Sequence, residues 1–272
     1  MPELPEVETV VRYLRPHLGG QVITDFHAHW PKVTAPIVPE EFAECISGRT
    51  IREVDRRGKY ILWNLDQGHI HIHLRMTGQL SVISPGEVGD GRHITAEFTL
   101  SNSRQVAFRD TRKFGRIGYM DDLHALESGL GIEPLSAEFS PEWLHRELAS
   151  RRRQIKPLLL DQAFIAGLGN IYVDEALFVA RIHPLKKACD LSSAEAGRLQ
   201  EAIQEILKES IHQDGTTIIS FGFGEGRRGR YRELLQVFRR DGEPCPRCRT
   251  PLVKIRVAQR GTHLCPACQV PG

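Results

Sequence analysis

Two groups of residues carry chemistry on type and spacing alone. The first is Met1-Pro2-Glu3. A small second residue favours removal of Met1, which leaves a proline secondary amine at the head of the mature chain. Such an amine, attacking an aldehyde-level carbon, forms an iminium that is cationic without a proton and therefore acts as an electron sink for elimination. A lysine does this only after losing a proton held with a pKa of about 10.4, whereas an α-amino group sits near 8. The carboxylate of Glu3 stands beside it, suited to moving protons. Pro and Glu also suit the first turn of a helix, so the triplet has a purely structural reading too.

The second group is Cys245-Pro-Arg-Cys248, sixteen intervening residues, then Cys265-Pro-Ala-Cys268. Two tight turns, each presenting a pair of sulfurs, match a tetrahedral four-thiolate site for one structural zinc ion. A disulfide framework competes with this reading, but the sequence shows no secretory features. So short a segment cannot bury a core of its own, so the metal is expected to supply its folding energy directly. Val253, Ile255 and Val257 alternate with Lys254 and Arg256 as in a strand, and Gly261 is expected to permit a hairpin turn toward Leu264. Cys45 and Cys189 stand apart and read as inert thiols.

The elements that must position these groups follow from pattern. Val7, Val10, Val11 and Leu14 fall at helical spacing, and Gly19-Gly20 ends the run. A helix starting near Pro5 would hold Pro2 and Glu3 just outside its positive end, where the dipole slightly opposes protonation of the amine. Segments 60–65, 70–74, 79–83, 94–98 and 105–108 have strand character, are separated by turn residues, and have no helix between them. They predict an antiparallel sandwich or barrel. Helical spacing then returns at 141–150, 156–164, 171–180 and 194–213, with Pro134-Leu-Ser136 as the linker. A chain of 272 residues holds two or three domains.

The net charge of +2 says little, but its distribution says more. Between Gly226 and Arg260 lie eleven Arg and Lys residues against three acids, a composition suited to a polyanion. No uninterrupted apolar run approaches twenty residues and no signal-peptide pattern occurs, which gives the expectation of a cytoplasmic protein with no membrane partner.

The opening Met1-Pro-Glu-Leu-Pro-Glu-Val-Glu-Thr9 closely resembles the amino terminus of the formamidopyrimidine-DNA glycosylase and endonuclease VIII family, which excises oxidised bases from DNA. The Leu4 form resembles the formamidopyrimidine branch. The likeness runs through nearly the whole chain. It implies an α+β multidomain fold: an N-terminal antiparallel β-sandwich with flanking helices (1–133), a helix-two-turn-helix domain (134–225) and a C-terminal four-cysteine zinc finger (236–270). It also implies a monomer bound to double-stranded DNA and concentrated at the nucleoid.

Residue by residue, Arg56-Arg-Gly-Lys59-Tyr resembles the stretch carrying a lysine essential for damaged-base removal, so Lys59 joins Pro2 and Glu3 as catalytic. His73-Leu-Arg-Met76-Thr-Gly78 and Arg112-Lys-Phe114-Gly115 resemble two loops that enter the duplex. An enzyme acting on a base must extrude it, and the vacated stack needs filling. By resemblance Met76 fills the void, Arg112 reads the orphaned partner base and Phe114 wedges beside it. His73 is carried over as a DNA contact, as is His93. Leu158 to Tyr172 resembles the helix-two-turn-helix, whose likeness makes Asn170, Lys156 and Arg151 phosphate contacts. Gly167 and Gly169 there allow the backbone to approach a phosphate. Arg260, in Gln259-Arg-Gly-Thr-His263, matches an arginine that binds phosphate from the hairpin tip and takes part in the last elimination.

Three departures from the pattern stand out. Asp90-Gly91-Arg92-His93 replaces a Lys-His-Asp-His string, Arg249 stands where glycine is usual, and residues 237–244 look more like the endonuclease VIII branch. Thr216 to Arg230 corresponds to a loop that caps an extruded purine, here with an unusual arginine content and with Gly222, Gly224, Gly226 and Gly229 suggesting mobility.

The activity implied is that of a bifunctional glycosylase and lyase for oxidised purines, acting through a Pro2 Schiff base and cutting the strand on both sides of the lesion. Two other readings stay open: an endonuclease VIII-like activity on oxidised pyrimidines, and a non-catalytic zinc-containing protein that binds damaged DNA.

Overall fold

The computed structural model describes residues 1–87, 91–216 and 229–271. Asp90 and most of the expected capping loop, including Gly222, Gly224 and Gly226, lie outside the described residues. By its contacts the chain divides into two compact units, Met1–Glu127 with Gln213–Arg230, and Ser128–His212 with Tyr231–Gly272.

The first unit opens with helix α1 (Leu4–Leu18), whose apolar residues form one fully buried face. Then follow β1 (Ile23–Ala28), α2 (Pro39–Ile46), β2 (Ile51–Arg57), β3 (Tyr60–Leu65), β4 (His69–His73), β5 (Gly78–Ile83), β6 (Ile94–Leu100), β7 (Gln105–Asp110) and β8 (Arg116–Met120). The strands make two four-stranded antiparallel sheets, ordered β1-β6-β7-β5 and β2-β3-β4-β8. Side chains alternate across a strand, so one face of each sheet can be apolar. The two apolar faces share one core: Phe98 of β6 packs 4.7 Å, centroid to centroid, from Trp63 of β3, with Phe26 and Phe42 completing the cluster. This is the expected antiparallel sandwich, flanked by α1 and α2. Two chemically important turns sit at strand ends: Gly58-Lys59 joins β2 to β3, and residues 111–115 join β7 to β8.

Helix α3 (His124–Ser128) ends this stretch of the first unit, and the second unit contains α4 (Pro141–Ala149), α5 (Ile155–Leu159), α6 (Asn170–Ala180), α7 (Ser193–His212) and the hairpin β9 (Val253–Val257)–β10 (Arg260–Leu264). Ser140 caps α4 by accepting the Trp143 amide at 3.1 Å. Helix α5 stops well short of the expected residue 164. Beyond it, side chains take over the backbone bonding: Gln162 donates to the carbonyls of Leu160 and Leu168 and accepts the Gly167 amide, while Asp161 accepts the Ala163 amide. These bonds hold the two successive turns, with Gly167 at φ +88°.

Helix α6 is buried nearly all round, including Asp174 and Glu175. Two acids in the interior each need partners. Glu175 accepts the amides of Gln236, Val237 and Phe238 at 2.8, 2.9 and 2.8 Å, which seats the approach to the finger on the helix. Asp174 accepts the His263 amide at 2.9 Å from β10. Arg247, from the first cysteine turn, donates to the last carbonyls of α6 at Phe178 and Val179 and stacks on the Phe178 ring. The hairpin turn itself differs from expectation. It is made by Ala258 and Gln259, at φ +44° and +62°, while Gly261 lies within β10 opposite Arg256. A two-residue turn of type I′ needs positive φ at both central positions, and the ladder register, not the glycine, decides where that falls.

No helix among the described residues is long and apolar enough to cross a membrane.

Candidate active site

Pro2 is buried at the start of α1, and Glu3, only 4% exposed, is the helix N-cap. The cap is reciprocal: the Glu3 carboxylate accepts the Glu6 amide, and Glu6 Oε2 accepts the Glu3 amide at 2.8 Å. The other oxygen of Glu6 accepts the Thr216 amide at 2.7 Å. One buried carboxylate thus joins the residue next to Pro2 to the foot of segment 217–228. Sequence reasoning missed this, because Glu6 and Thr216 are far apart in the chain and each looks ordinary alone.

Lys59 is 6% exposed, and a chain of bonds sets its turn against α1. Arg56 Nε donates to Glu8 at 3.2 Å, and its Nη1 donates to the Gly58 carbonyl at 3.0 Å. Tyr60, the next residue, pairs with His73 across β3 and β4. Burial, followed by the charges of Arg75 and Lys59, pushes the His73 pKa down to about 3. His73 Nδ1 accepts the Arg75 amide at 3.0 Å, so the proton of this neutral imidazole sits on Nε2.

Met76 and Phe114 are 43% and 45% exposed, unusual for such side chains. Arg112 connects them, with Nη1 3.0 Å from the Met76 sulfur and its guanidinium 4.7 Å from the Phe114 ring centroid. Met76 and Phe114 line an open cavity of about 380 Å³ together with Met1, Arg75 and Arg116. Met1 and residues of the two loops therefore border one cavity. His93 is exposed at φ +63°, and its carbonyl accepts the Asp110 amide at the root of the Arg112 loop.

In the second unit the expected phosphate contacts separate. Arg260 is exposed, first in β10 beside the turn. Arg151 is half-buried, bonded to Glu147 at 3.0 Å and lying over the Phe164 ring. Asn170, the first residue of α6, donates to the Gly261 carbonyl at 3.0 Å, and its buried Oδ1 has no partner among the described residues.

Lys156 is turned inward. It is fully buried, with Nζ 2.6 Å from Asp174 Oδ1, 2.7 Å from the Thr262 hydroxyl and 3.3 Å from the Gly261 carbonyl. The acid on α6, invisible as a partner in sequence, draws the ammonium inward, so the residue braces the hairpin from behind.

The four cysteines converge, all sulfurs lying within 4.8 Å of one another. Separations of 3.4, 3.5 and 4.0 Å bracket the edge of about 3.8 Å that a tetrahedron of Zn–S bonds requires. The amides of Arg247 and Cys268 point at Cys245 and Cys265 Sγ, both at 3.4 Å, as suits thiolate acceptors. The donor set fits one structural zinc ion. Arg249, after the second cysteine, lies at φ +68°. Glycine suits that conformation, which accounts for the glycine usual at this position and leaves the arginine without a structural explanation.

A buried proline beside a capping glutamate, a wedge of exposed side chains and a four-thiolate finger together define a zinc-containing, DNA-directed protein of α+β fold. Comparison with known proteins gives the same class. Residues 1–117 match the formamidopyrimidine-DNA glycosylase N-terminal domain, residues 130–221 match the H2TH domain of that family, and residues 242–270 match the zinc finger found in FPG and IleRS. The chain is 47% identical to the formamidopyrimidine-DNA glycosylase of Chloroflexus aurantiacus, covering 99% of this chain and 98% of the relative. It is 48% identical to that of Pelotomaculum thermopropionicum, covering 99% of each. A Lactococcus lactis FPG variant, crystallised with DNA containing Fapy-dG, superposes with a TM-score of 0.91 at 35% identity, covering 99% of this chain and 100% of that one. The chain belongs to the formamidopyrimidine-DNA glycosylase family.

Proposed function

We propose that this chain is a base-excision repair enzyme that removes oxidised purines, 8-oxoguanine and formamidopyrimidines, from duplex DNA and then cuts the strand as an AP lyase. The observation that carries this reading is the buried Pro2 at the capped start of α1, directly after Met1, which lines one cavity with Met76 and Phe114.

With Met1 removed, the Pro2 nitrogen attacks C1′ of the extruded nucleotide. The glycosidic bond breaks and the base leaves with its electron pair. Glu3 passes a proton to the sugar ring oxygen, the ring opens, and the iminium forms on Pro2. Glu3, having given up its proton, takes a proton from C2′; the electron pair moves onto the iminium as an enamine, which expels the 3′ phosphate, and loss of the C4′ proton drives a second elimination that expels the 5′ phosphate, leaving a one-nucleotide gap. Lys59 and Arg260 hold the negative charge at the reacting nucleotide and its phosphates. Met76, Arg112 and Phe114 occupy the emptied stack, and His73, His93, Arg151 and Asn170 contact the duplex. Zinc, held by Cys245, Cys248, Cys265 and Cys268, supplies folding energy to the finger that carries Arg260.

The functional division is 1–133, 134–225 and 236–270. The enzyme works as a monomer in the cytoplasm, on the nucleoid.

Borohydride trapping tests this. The mature protein, incubated with a duplex carrying 8-oxoguanine opposite cytosine, becomes covalently linked to DNA, and peptide mapping puts the link at Pro2. Absence of any adduct, with binding lost on chelation, makes the protein a non-catalytic lesion binder. Faster release of thymine glycol than of 8-oxoguanine assigns it to oxidised pyrimidines.

A further inference from the structure

Asp110 ends β7 and is 1% exposed, yet no step described above uses it. Its carboxylate gathers donors from both loops that line the cavity. Oδ1 accepts the Thr77 hydroxyl, from the turn that follows Met76, and the Arg112 amide at 3.1 Å. Oδ2 accepts the Gly115 amide at 2.7 Å, just past Phe114. The Asp110 amide donates to the His93 carbonyl at 2.9 Å, and the Asp110 carbonyl accepts the Lys113 amide. The glycines on either side leave no slack. A Cβ at Gly78 would sit 2.5 Å from the Leu74 carbonyl oxygen, and one at Gly115 would sit 2.4 Å from the Phe108 ring.

We propose that Asp110 is a positioning residue that locks the Met76 loop and the Arg112–Phe114 loop into one preassembled wedge, and so sets the register in which Arg112 meets the base opposite the lesion. The proposal rests on the reading of these three side chains as the group that fills the stack. Three donors on one carboxylate tie Met76 and Phe114 to a common anchor, so the contacts of Arg112 with the Met76 sulfur and the Phe114 ring are in place before any duplex arrives. Side chains ordered in advance lose less freedom on insertion.

Asp110→Asn tests the lock. An amide offers one acceptor oxygen and two N–H donors, so in either orientation an N–H of Asn faces the amide of Arg112 or of Gly115. An unsatisfied buried donor loosens the loops, and the opposite-base preference, the ratio of kcat/KM for 8-oxoguanine opposite cytosine and opposite adenine, is expected to fall about tenfold. In parallel, 2-aminopurine placed beside the lesion reports unstacking by its fluorescence. Thr77→Val, of nearly the same shape, removes one of the three donors and gives a smaller loss of preference, whereas Thr77→Ser restores the hydroxyl and the preference. Should Asp110→Asn not fold, the Val and Ser pair decides alone. Fluorescence and preference equal to wild type in Asp110→Asn, or in Thr77→Val, overturn the lock. A wild-type protein that gives no fluorescence change overturns the reading of the wedge itself, and the lock with it.

Discussion

Removing the acid from the Lys156–Asp174 pair should loosen the β-hairpin that presents Arg260. Both side chains are 0% exposed, and Nζ lies 2.6 Å from Oδ1. In Asp174→Asn the ammonium stays in the interior beside the Thr262 hydroxyl and the Gly261 carbonyl, with a neutral amide in place of its counter-charge. Breaking a buried pair from one side costs about 3–5 kcal/mol, because it strands a charge that the fold has already desolvated. At roughly 1.4 kcal/mol per factor of ten, opening of the hairpin becomes about 10² to 10⁴ times more frequent. Asp174 also accepts the His263 amide at 2.9 Å, so amide hydrogen exchange at His263 and its neighbours in β9–β10 reads the effect directly. The double variant Lys156→Met/Asp174→Leu removes both charges and is expected to recover most of the protection in β9–β10 outside His263, whose amide loses its acceptor. An Asp174→Asn protein whose hairpin amides exchange within about threefold of wild type would refute the argument that this pair braces the hairpin.

Three further outcomes follow from the same reasoning. His73, with its pKa lowered to about 3 by burial and then by Arg75 and Lys59, takes up its proton only in the unfolded chain between pH 6.5 and about 3. Over that window it makes folding less favourable by about 1.4 kcal/mol per pH unit as pH falls. Urea unfolding from pH 6.5 to 4.5 should therefore show a shallower loss in His73→Gln than in wild type, and parallel curves would exclude the effect. Arg249→Gly relieves a left-handed residue at φ +68° and should raise the finger's stability by about 1 kcal/mol, read as resistance to a competing chelator; earlier metal loss would mean that the arginine side chain supplies more than its backbone costs. Stripping the metal should abolish exchange protection in β9–β10 while the Phe26, Trp63 and Phe98 core keeps its protection; an unchanged hairpin would mean that α6 contacts alone fold the finger.

What was legible in the sequence was local. The cysteine spacing gave the metal site because each pair closes within one turn, and the 3.6-residue pattern gave α1 because its apolar face repeats inside the helix. The five strands read from alternation are present, but β1, β2 and β8 were not singled out. In β1 and β2 the burial pattern leaves two exposed residues between buried ones, and β8 carries little alternation. The site divides the same way. Pro2, Met76, Arg112 and Phe114 were readable through motifs, whereas the groups that hold them were not. Asp110 reaches Thr77 across 33 positions, Lys156 reaches Thr262 across 106, and Glu6 reaches Thr216 across 210. Partners that far apart leave no periodicity, and the acid that draws Lys156 inward was one of them.

The foot of segment 217–228 has its own consequence. Thr216 and Arg230 form a bridge, and a Cβ on Gly229 would lie 2.1 Å from the Gly215 carbonyl oxygen. Arg230 donates its amide to Gln213 at 2.9 Å, and Glu6 holds Thr216. A stem clasped this firmly ties both flanks of residues 217–228 to the capped start of α1, whatever side chains those twelve positions carry.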